Sequence, residues 1–225
     1  MTINWQKKGS QMYSDKDTWN GMYGICEHNC EYCYNRRWWK VWGEMRLNEK
    51  ALKDNLRSGR NLFVGSSCDM FADVISKDWI IKVLEHCRKF DNTYLFQSKN
   101  PKRFEEFKGH FPKNTIYGIT LETNRDNEFS KAPQPKERMN DFCIWTTYDY
   151  VKEVMVSIEP IMQFDLNQFV EMIKEINPEY VSIGANTNLK VKLPEPSKEK
   201  VEALIKELKT FTEVKIKDNL KRLMK

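Results

Sequence analysis

Seven short runs of apolar, β-branched or aromatic residues punctuate this chain, at 22–25, 61–65, 93–97, 115–121, 153–158, 179–184 and 213–217. Each ends in small or polar residues, the pattern of strands buried on both faces rather than of a half-solvated sheet. Helical periodicity fills several of the intervals. Trp79, Ile80, Val83, Leu84 and Cys87 form one apolar face, with Ser76 and Asp78 placed to cap it. Phe169, Val170, Ile173 and Ile176 form a second, ending before Pro178. Val201, Leu204, Ile205, Leu208 and Phe211 form a third, after Leu-Pro-Glu-Pro-Ser at 193–197, and residues 134–150 read as a fourth. Strands alternating with helices predict a parallel sheet with right-handed crossovers. The expected fold is therefore α/β, a single-domain partial TIM barrel of about (βα)6, with a doubly wound sheet as the alternative. A barrel carries its active site at the C-terminal strand ends. Polar residues collect at those ends: Cys26, then Ser66, Ser67, Cys68 and Asp69, then Ser98 and Lys99, Thr120 with Glu122 and Asn124, Ser157 with Glu159, and Gly184 with Asn186.

A composition of 40% hydrophobic and 31% charged residues is that of a soluble globular protein. The first 20 residues contain no apolar h-region and no run approaches 18 apolar residues, so the expectation is a cytoplasmic protein without membrane contact. The 225 residues are expected to form one domain, with a core at about 17–187 and a C-terminal helix, strand and basic tail at 188–225. Residues 190–225 carry 11 Lys/Arg against 6 Asp/Glu, which accounts for the whole formal charge of +5. That excess suits either a polyanionic partner or a solvated helix face.

Three of the six cysteines fall within eight positions, as Cys26-x3-Cys30-x2-Cys33. In a reducing compartment such clustering indicates a metal site rather than a disulfide framework. Zinc would require a fourth ligand, and His28 lies within the loop. A single residue separates His28 from Cys26 and from Cys30, which is tight for tetrahedral chelation. Iron–sulfur clusters usually take four cysteines, so three imply either a remote ligand or an open iron. Cys87 on its apolar helix face and Cys143 within Asp-Phe-Cys-Ile-Trp both read as core residues.

The spacing Cys26-x3-Cys30-x-Tyr32-Cys33 resembles the C-x3-C-x-aromatic-C signature of the radical S-adenosylmethionine (SAM) superfamily. The resemblance implies a [4Fe-4S] cluster held by Cys26, Cys30 and Cys33, with SAM chelating the open iron. One electron then cleaves SAM to methionine and a 5′-deoxyadenosyl radical, which takes a hydrogen from the substrate. It also implies an electron donor such as flavodoxin or ferredoxin, and a monomer is expected. Thr18-Trp19-Asn20, Gly65-Ser66-x-x-Asp69-x-Phe71, Lys99-Asn100-Pro101 and Ser157-x-Glu159-Pro160 further resemble a phage-associated radical-SAM-like family of unassigned function, over residues 17–187. The chain departs from that pattern in carrying Cys68 where serine is usual, and in its short cysteine loop.

Gly65-Ser66-Ser67-Cys68-Asp69 resembles a stretch of spore photoproduct lyase whose cysteine returns a hydrogen atom to the product radical, and Lys99 resembles the lysine of its Thr-Lys pair. Cys68 is on this basis the candidate catalytic residue. The resemblance implies SAM contacts from Tyr32, Tyr34, Ser66, Ser67, Asp69, Lys99, Glu122, Asn124, Glu159 and Asn186. Arg36 and Arg37 open a helix with Trp38, Trp39 and Trp42, a surface able to stack on bases or simply to pack on the core. These features favour a nucleotide or nucleic-acid base as substrate, in repair or base modification. A radical SAM enzyme acting on a small molecule or peptide, and a non-catalytic Cys3His zinc module, are the alternatives.

Overall fold

Six of the seven expected strands form close to their expected bounds, and the sheet gains two strands where none was expected. The computed structural model describes residues 3–4 and 17–225. In chain order the elements are β1 (Ile3–Asn4), β2 (Asp17–Trp19), β3 (Met22–Tyr23), α1 (Arg36–Trp42), β4 (Arg46–Leu47), β5 (Asn61–Val64), α2 (Lys77–Arg88), β6 (Thr93–Ser98), β7 (Thr115–Thr120), α3 (Pro135–Thr146), β8 (Glu153–Ile158), α4 (Leu166–Ile176), β9 (Tyr180–Ile183), α5 (Lys198–Leu208) and β10 (Glu213–Ile216). Short 3-10 segments occupy Ala51–Lys53, Pro101–Phe107 and Asp218–Arg222.

The eight-stranded sheet runs β1-β2-β5-β6-β7-β8-β9-β10, with every pair parallel except β1 on β2. Seven parallel strands joined by six crossovers match the expected (βα)6 count with one strand added. The sheet curls into a partial barrel whose end strands do not meet.

The run at 22–25 is not the first barrel strand. Its strand residues, Met22 and Tyr23, pair antiparallel with Leu47 and Arg46 in a separate ribbon. Gly24 breaks the extension there at φ 140, and a Cβ on it would lie 2.4 Å from the Met45 Cα. The first parallel strand is β2, with Asp17, Thr18 and Trp19 opposite Leu62, Phe63 and Val64. It is three residues long and holds an acid and a hydroxyl, so it carries no apolar run to detect. Asp17 is nonetheless buried, because Arg60 pairs with it. Gly24→Ala is expected to destabilise the chain by about 1–3 kcal/mol, the usual cost of forcing a non-glycine residue into such a conformation. Urea unfolding at constant m checks this, and an unchanged midpoint would contradict it.

The convex face of the sheet carries the main core. α4 presents Phe169, Val170, Ile173 and Ile176 to it, all buried, and each such side chain contributes about 1.5–3 kcal/mol. The helix ends at Asn177, whose left-handed conformation precedes Pro178. α2 starts after Ser76 as expected, although the Ser76 side chain makes no cap bond, whereas Ser197 does cap α5. The crossover between β6 and β7 is the 3-10 segment rather than an α-helix. Its Phe104 and Phe107 are fully buried among Phe71, Phe111, Tyr117 and Trp145. A separate apolar cluster of Phe63, Leu95, Ile116, Met155 and Tyr180 spans successive strands. With a side-chain period of two, the same face then presents Gln97 and Lys99, Gly118 and Thr120, and Ser157 and Glu159 toward the strand ends. Among the described residues no helix is long and apolar enough to cross a membrane.

Candidate active site

The cysteine loop lies across the C-terminal strand ends, held by turns and by later parts of the chain. Asn29 N–H donates to Cys26 O (3.1 Å), Cys33 N–H to Cys30 O (3.1 Å) and Arg36 N–H to Cys33 O (3.2 Å). Arg36 opens α1, but its guanidinium turns back to the loop, donating to Cys30 O (2.8 Å) and to Asn29 O (2.8 Å) and Oδ1 (2.6 Å). Asn35 ties the far end of the loop to the segment after β5, donating to Ser66 O (3.2 Å) and Ser67 O (3.0 Å). Trp39 of the same helix is buried, Trp42 is partly buried and Trp38 is exposed, so α1 packs through Trp39 and presents Trp38.

Cys26, Cys30 and Cys33 all line one cavity of about 180 Å³, together with Ser66, Ser67, Cys68, Asp69, Gln97, Lys99, Ser157, Glu159 and Asn186. Strands β5 to β9 and the loops that follow them thus face the thiols as the barrel reading requires. Burial, reinforced by the charge of Asp69, pushes the Cys26 thiol far above its ordinary range, and burial also raises Cys33. A metal that took Cys26 and Cys33 as thiolates would have to drive off their protons against this burial. Among the described residues no three His, Cys, Asp or Glu side chains converge on a single ion position.

The expected SAM contacts divide into several kinds. Asp69 is saturated by the protein: Ser98 Oγ (2.9 Å), the backbone amides of Lys99 (2.7 Å) and Phe71 (3.0 Å), and His28 Nε2 (3.0 Å). Burial works to raise its pKa, but His28 and these donors outweigh it and hold it below the ordinary value. Asp69 therefore brackets the β5 loop, β6 and the cysteine loop together. Ser66 Oγ exchanges hydrogen bonds with Asn20, and Ser67 Oγ donates to Met22 O at 2.9 Å. Asn186 closes its own turn, donating to Asn188 O and Val191 O at 3.0 Å each. Tyr34 is half exposed at the rim and donates to Ser66 O. Cys68 is buried, its Sγ 3.8 Å from Met22 O, and burial pushes its thiol up to about 12.

Two expected contacts lie elsewhere. Glu122 is fully buried beneath the cavity, where the Tyr32 hydroxyl donates to it at 2.5 Å, Lys99 pairs with it, and Arg138 stands 3.0 Å away. The Asn124 side chain points to α4 instead, donating to Gln168 Oε1 (3.1 Å) and accepting from the Asp165 amide (2.9 Å). Arg125 pairs with Asp165, not Glu122, which Arg138 and Lys99 already occupy.

The sequence reading did not anticipate Arg138, Asn35 or Ser130, whose hydroxyl is 3.1 Å from Cys30 Sγ. It also did not anticipate Lys217, which pairs with Glu159 at the mouth. Lys217 directly follows β10, so the strand-end pattern already pointed to it. Arg138, on a helix, offers no such signal. Burial pulls the Lys217 pKa down to about 7. Gly184 leaves room for the pair, since a Cβ there would meet Lys217 Cδ at 2.9 Å and Glu159 Oε1 at 3.0 Å. The C-terminal segment is thus a wall of the site. Outside the thiol cavity it borders a second cleft of about 830 Å³, which reaches Tyr34, Arg36, Arg37, Lys190, Lys217 and Asn219.

Fold and site together define an α/β half-barrel with a thiol-lined mouth. No protein-family model matches the chain, and no curated protein sequence does either. Among solved structures, a double-mutant spore photoproduct lyase with bound AdoMet and dinucleoside spore photoproduct superposes with a TM-score of 0.64 at 10% identity, covering 88% of this chain and 74% of that one. The spore photoproduct lyase complexed with dinucleoside spore photoproduct gives a TM-score of 0.63 at 10% identity, over 87% and 74% of the two chains. At such identity the likeness is one of fold.

Proposed function

We propose that the chain is a radical SAM enzyme acting on a nucleotide or nucleic-acid base. The observation that carries this reading is the convergence of Cys26, Cys30 and Cys33 on one cavity with Lys99 and the strand-end polar residues. The donor set fits a [4Fe-4S] cluster: three thiols from one loop, and a His28 whose Nε2 is committed to Asp69 and so is poorly placed to complete a Cys3His zinc site. Bound there, the cluster would supply the electron that cleaves SAM reductively.

The protein's own groups have separable tasks. Lys99 and Arg138 share the single carboxylate of Glu122, which leaves one positive charge in excess, and Lys99 is the member that lines the cavity. That charge suits the carboxylate of SAM. Gln97 also lines the cavity, and its buried Oε1 has no hydrogen-bond partner among the described residues. It is a better polar contact for SAM than Glu122 or Asn124. Cys68, its thiol raised to about 12, keeps its S–H hydrogen at neutral pH, as a hydrogen-atom donor must.

The outer cleft supports the substrate class. Arg37 and Lys190 border it beside the exposed Trp38 of α1, a combination that suits phosphates and stacked bases. Two of the solved structures that resemble this chain hold dinucleoside spore photoproduct. Electrons would come from a flavodoxin or ferredoxin in a reducing cytoplasm. Anaerobic reconstitution with iron and sulfide, reduction and addition of SAM should yield 5′-deoxyadenosine. Single-stranded DNA should bind with an affinity that falls steeply with salt. A colourless protein that leaves SAM intact would refute the enzymatic reading, and salt-insensitive DNA binding would refute the substrate class.

A further inference from the structure

We propose that Ser130 is the hydrogen-bond donor to the metal-bound Cys30 sulfur, and that it makes the cluster easier to reduce. The inference rests on the cluster reading above and deepens it. The segment between β7 and α3 straps the cysteine loop through two backbone bonds, Glu31 N–H to Phe129 O (2.8 Å) and Lys131 N–H to His28 O (2.7 Å). Ser130 sits between these anchors, with Oγ 3.1 Å from Cys30 Sγ, 3.3 Å from His28 O, and accepting from the Ala132 amide at 3.1 Å. The surroundings are largely apolar, with Tyr32 and Met162 buried and Phe129 and Leu193 packed against them.

The protons can be counted. A serine hydroxyl has one hydrogen and here two acceptors within reach. While Cys30 is a thiol it can donate to Ser130, leaving the hydroxyl free to donate to His28 O. Once the sulfur is a metal-bound thiolate it can only accept, so the hydroxyl hydrogen turns to it. His28 O is not left unpaired, because Lys131 N–H still donates to it. No buried group loses a partner in the exchange, so the geometry is already arranged for the ligated state.

The bond is also asymmetric among the ligands. Among the described residues, Cys30 is the loop cysteine whose sulfur has a side-chain hydroxyl within hydrogen-bond distance. It is thus the one sulfur whose hydrogen bond a substitution can remove cleanly. Hydrogen bonds to cluster sulfurs offset the extra negative charge of the reduced state and raise its potential.

The test is an EPR-monitored redox titration of the reconstituted full-length protein, its Ser130→Ala variant and its Ser130→Thr variant. Ser130→Ala should bind the same iron but hold the electron up to tenfold more weakly, a fall of about 59 mV for a one-electron couple. Ser130→Thr, which keeps the hydroxyl, should titrate like the parent. Iron uptake retained by Ser130→Thr but lost by Ser130→Ala would also support the hydroxyl's role. Equal midpoints in all three proteins, or equal loss of iron in both variants, would overturn it. A parent protein that binds no iron would instead refute the cluster reading itself.

Discussion

Cys26→Ser, Cys30→Ser and Cys33→Ser are each expected to lose iron after anaerobic reconstitution and to lower 5′-deoxyadenosine formation from SAM by more than about 100-fold. Outer-shell substitutions at metal centres commonly cost about 10–100-fold, and removal of a ligand itself should cost more. The three thiols come from one loop and face one cavity, whereas Cys68, the other cysteine on that cavity, follows β5 and has its Sγ 3.8 Å from Met22 O. Cys143→Ser is the control. Its sulfur lies 3.5 Å from Met139 Sδ on α3, away from the cavity, and its iron content should match the parent. The measurements are iron per chain and product by chromatography. Retention of full iron by all three loop variants would exclude the thiols as the ligand set.

Glu122→Gln is expected to destabilise the fold by about 3–5 kcal/mol at neutral pH, the range for breaking a buried ion pair from one side. The glutamine keeps the shape but leaves Lys99 and Arg138 without a counter-charge, Arg138 being almost wholly buried. The pH dependence gives a sharper signature. Burial acts to raise the Glu122 pKa, but Arg138 and Lys99 outweigh it and bring it from 4.5 down to about 2. A carboxylate depressed by folding contributes stability that is present above its unfolded pKa and lost as pH falls toward the folded one. The gap between parent and Glu122→Gln should therefore be full above about pH 5 and shrink between pH 4.5 and 2. Urea titrations across that window, at constant m, decide the matter. A gap independent of pH would mean that the carboxylate's charge is not what the network uses.

The strand–helix alternation was legible because strands buried on both faces leave unbroken apolar runs, as at 93–97 and 153–158. β2 escaped for the opposite reason: three residues held by the Asp17–Arg60 pair need no such run. The cysteine loop was legible because thiols grouped on one turn have a fixed local spacing. What was not legible is everything supplied from a distance. Glu122 was read as a SAM contact, but it lies buried beneath the cavity, held by Arg138 from a helix crossover and by Lys99. Asn124 was placed by counting along a strand, whereas the chain turns after Glu122 and directs the side chain to α4. Ser130 and Lys217 meet their partners only through the fold.

Those distances set the order in which the site can assemble. The cysteine loop is bonded to residue 130 across 100 positions of sequence and to Asn188, which donates to Glu31 O, across 157. Glu159 meets Lys217 another 58 positions on. A ribosome emits the thiols before Ser130, Asn188 and Lys217. The contacts those residues make with the loop and the mouth are therefore complete only after position 217 has been made. A truncation before residue 217 would leave Glu159 at the mouth without the Lys217 cation.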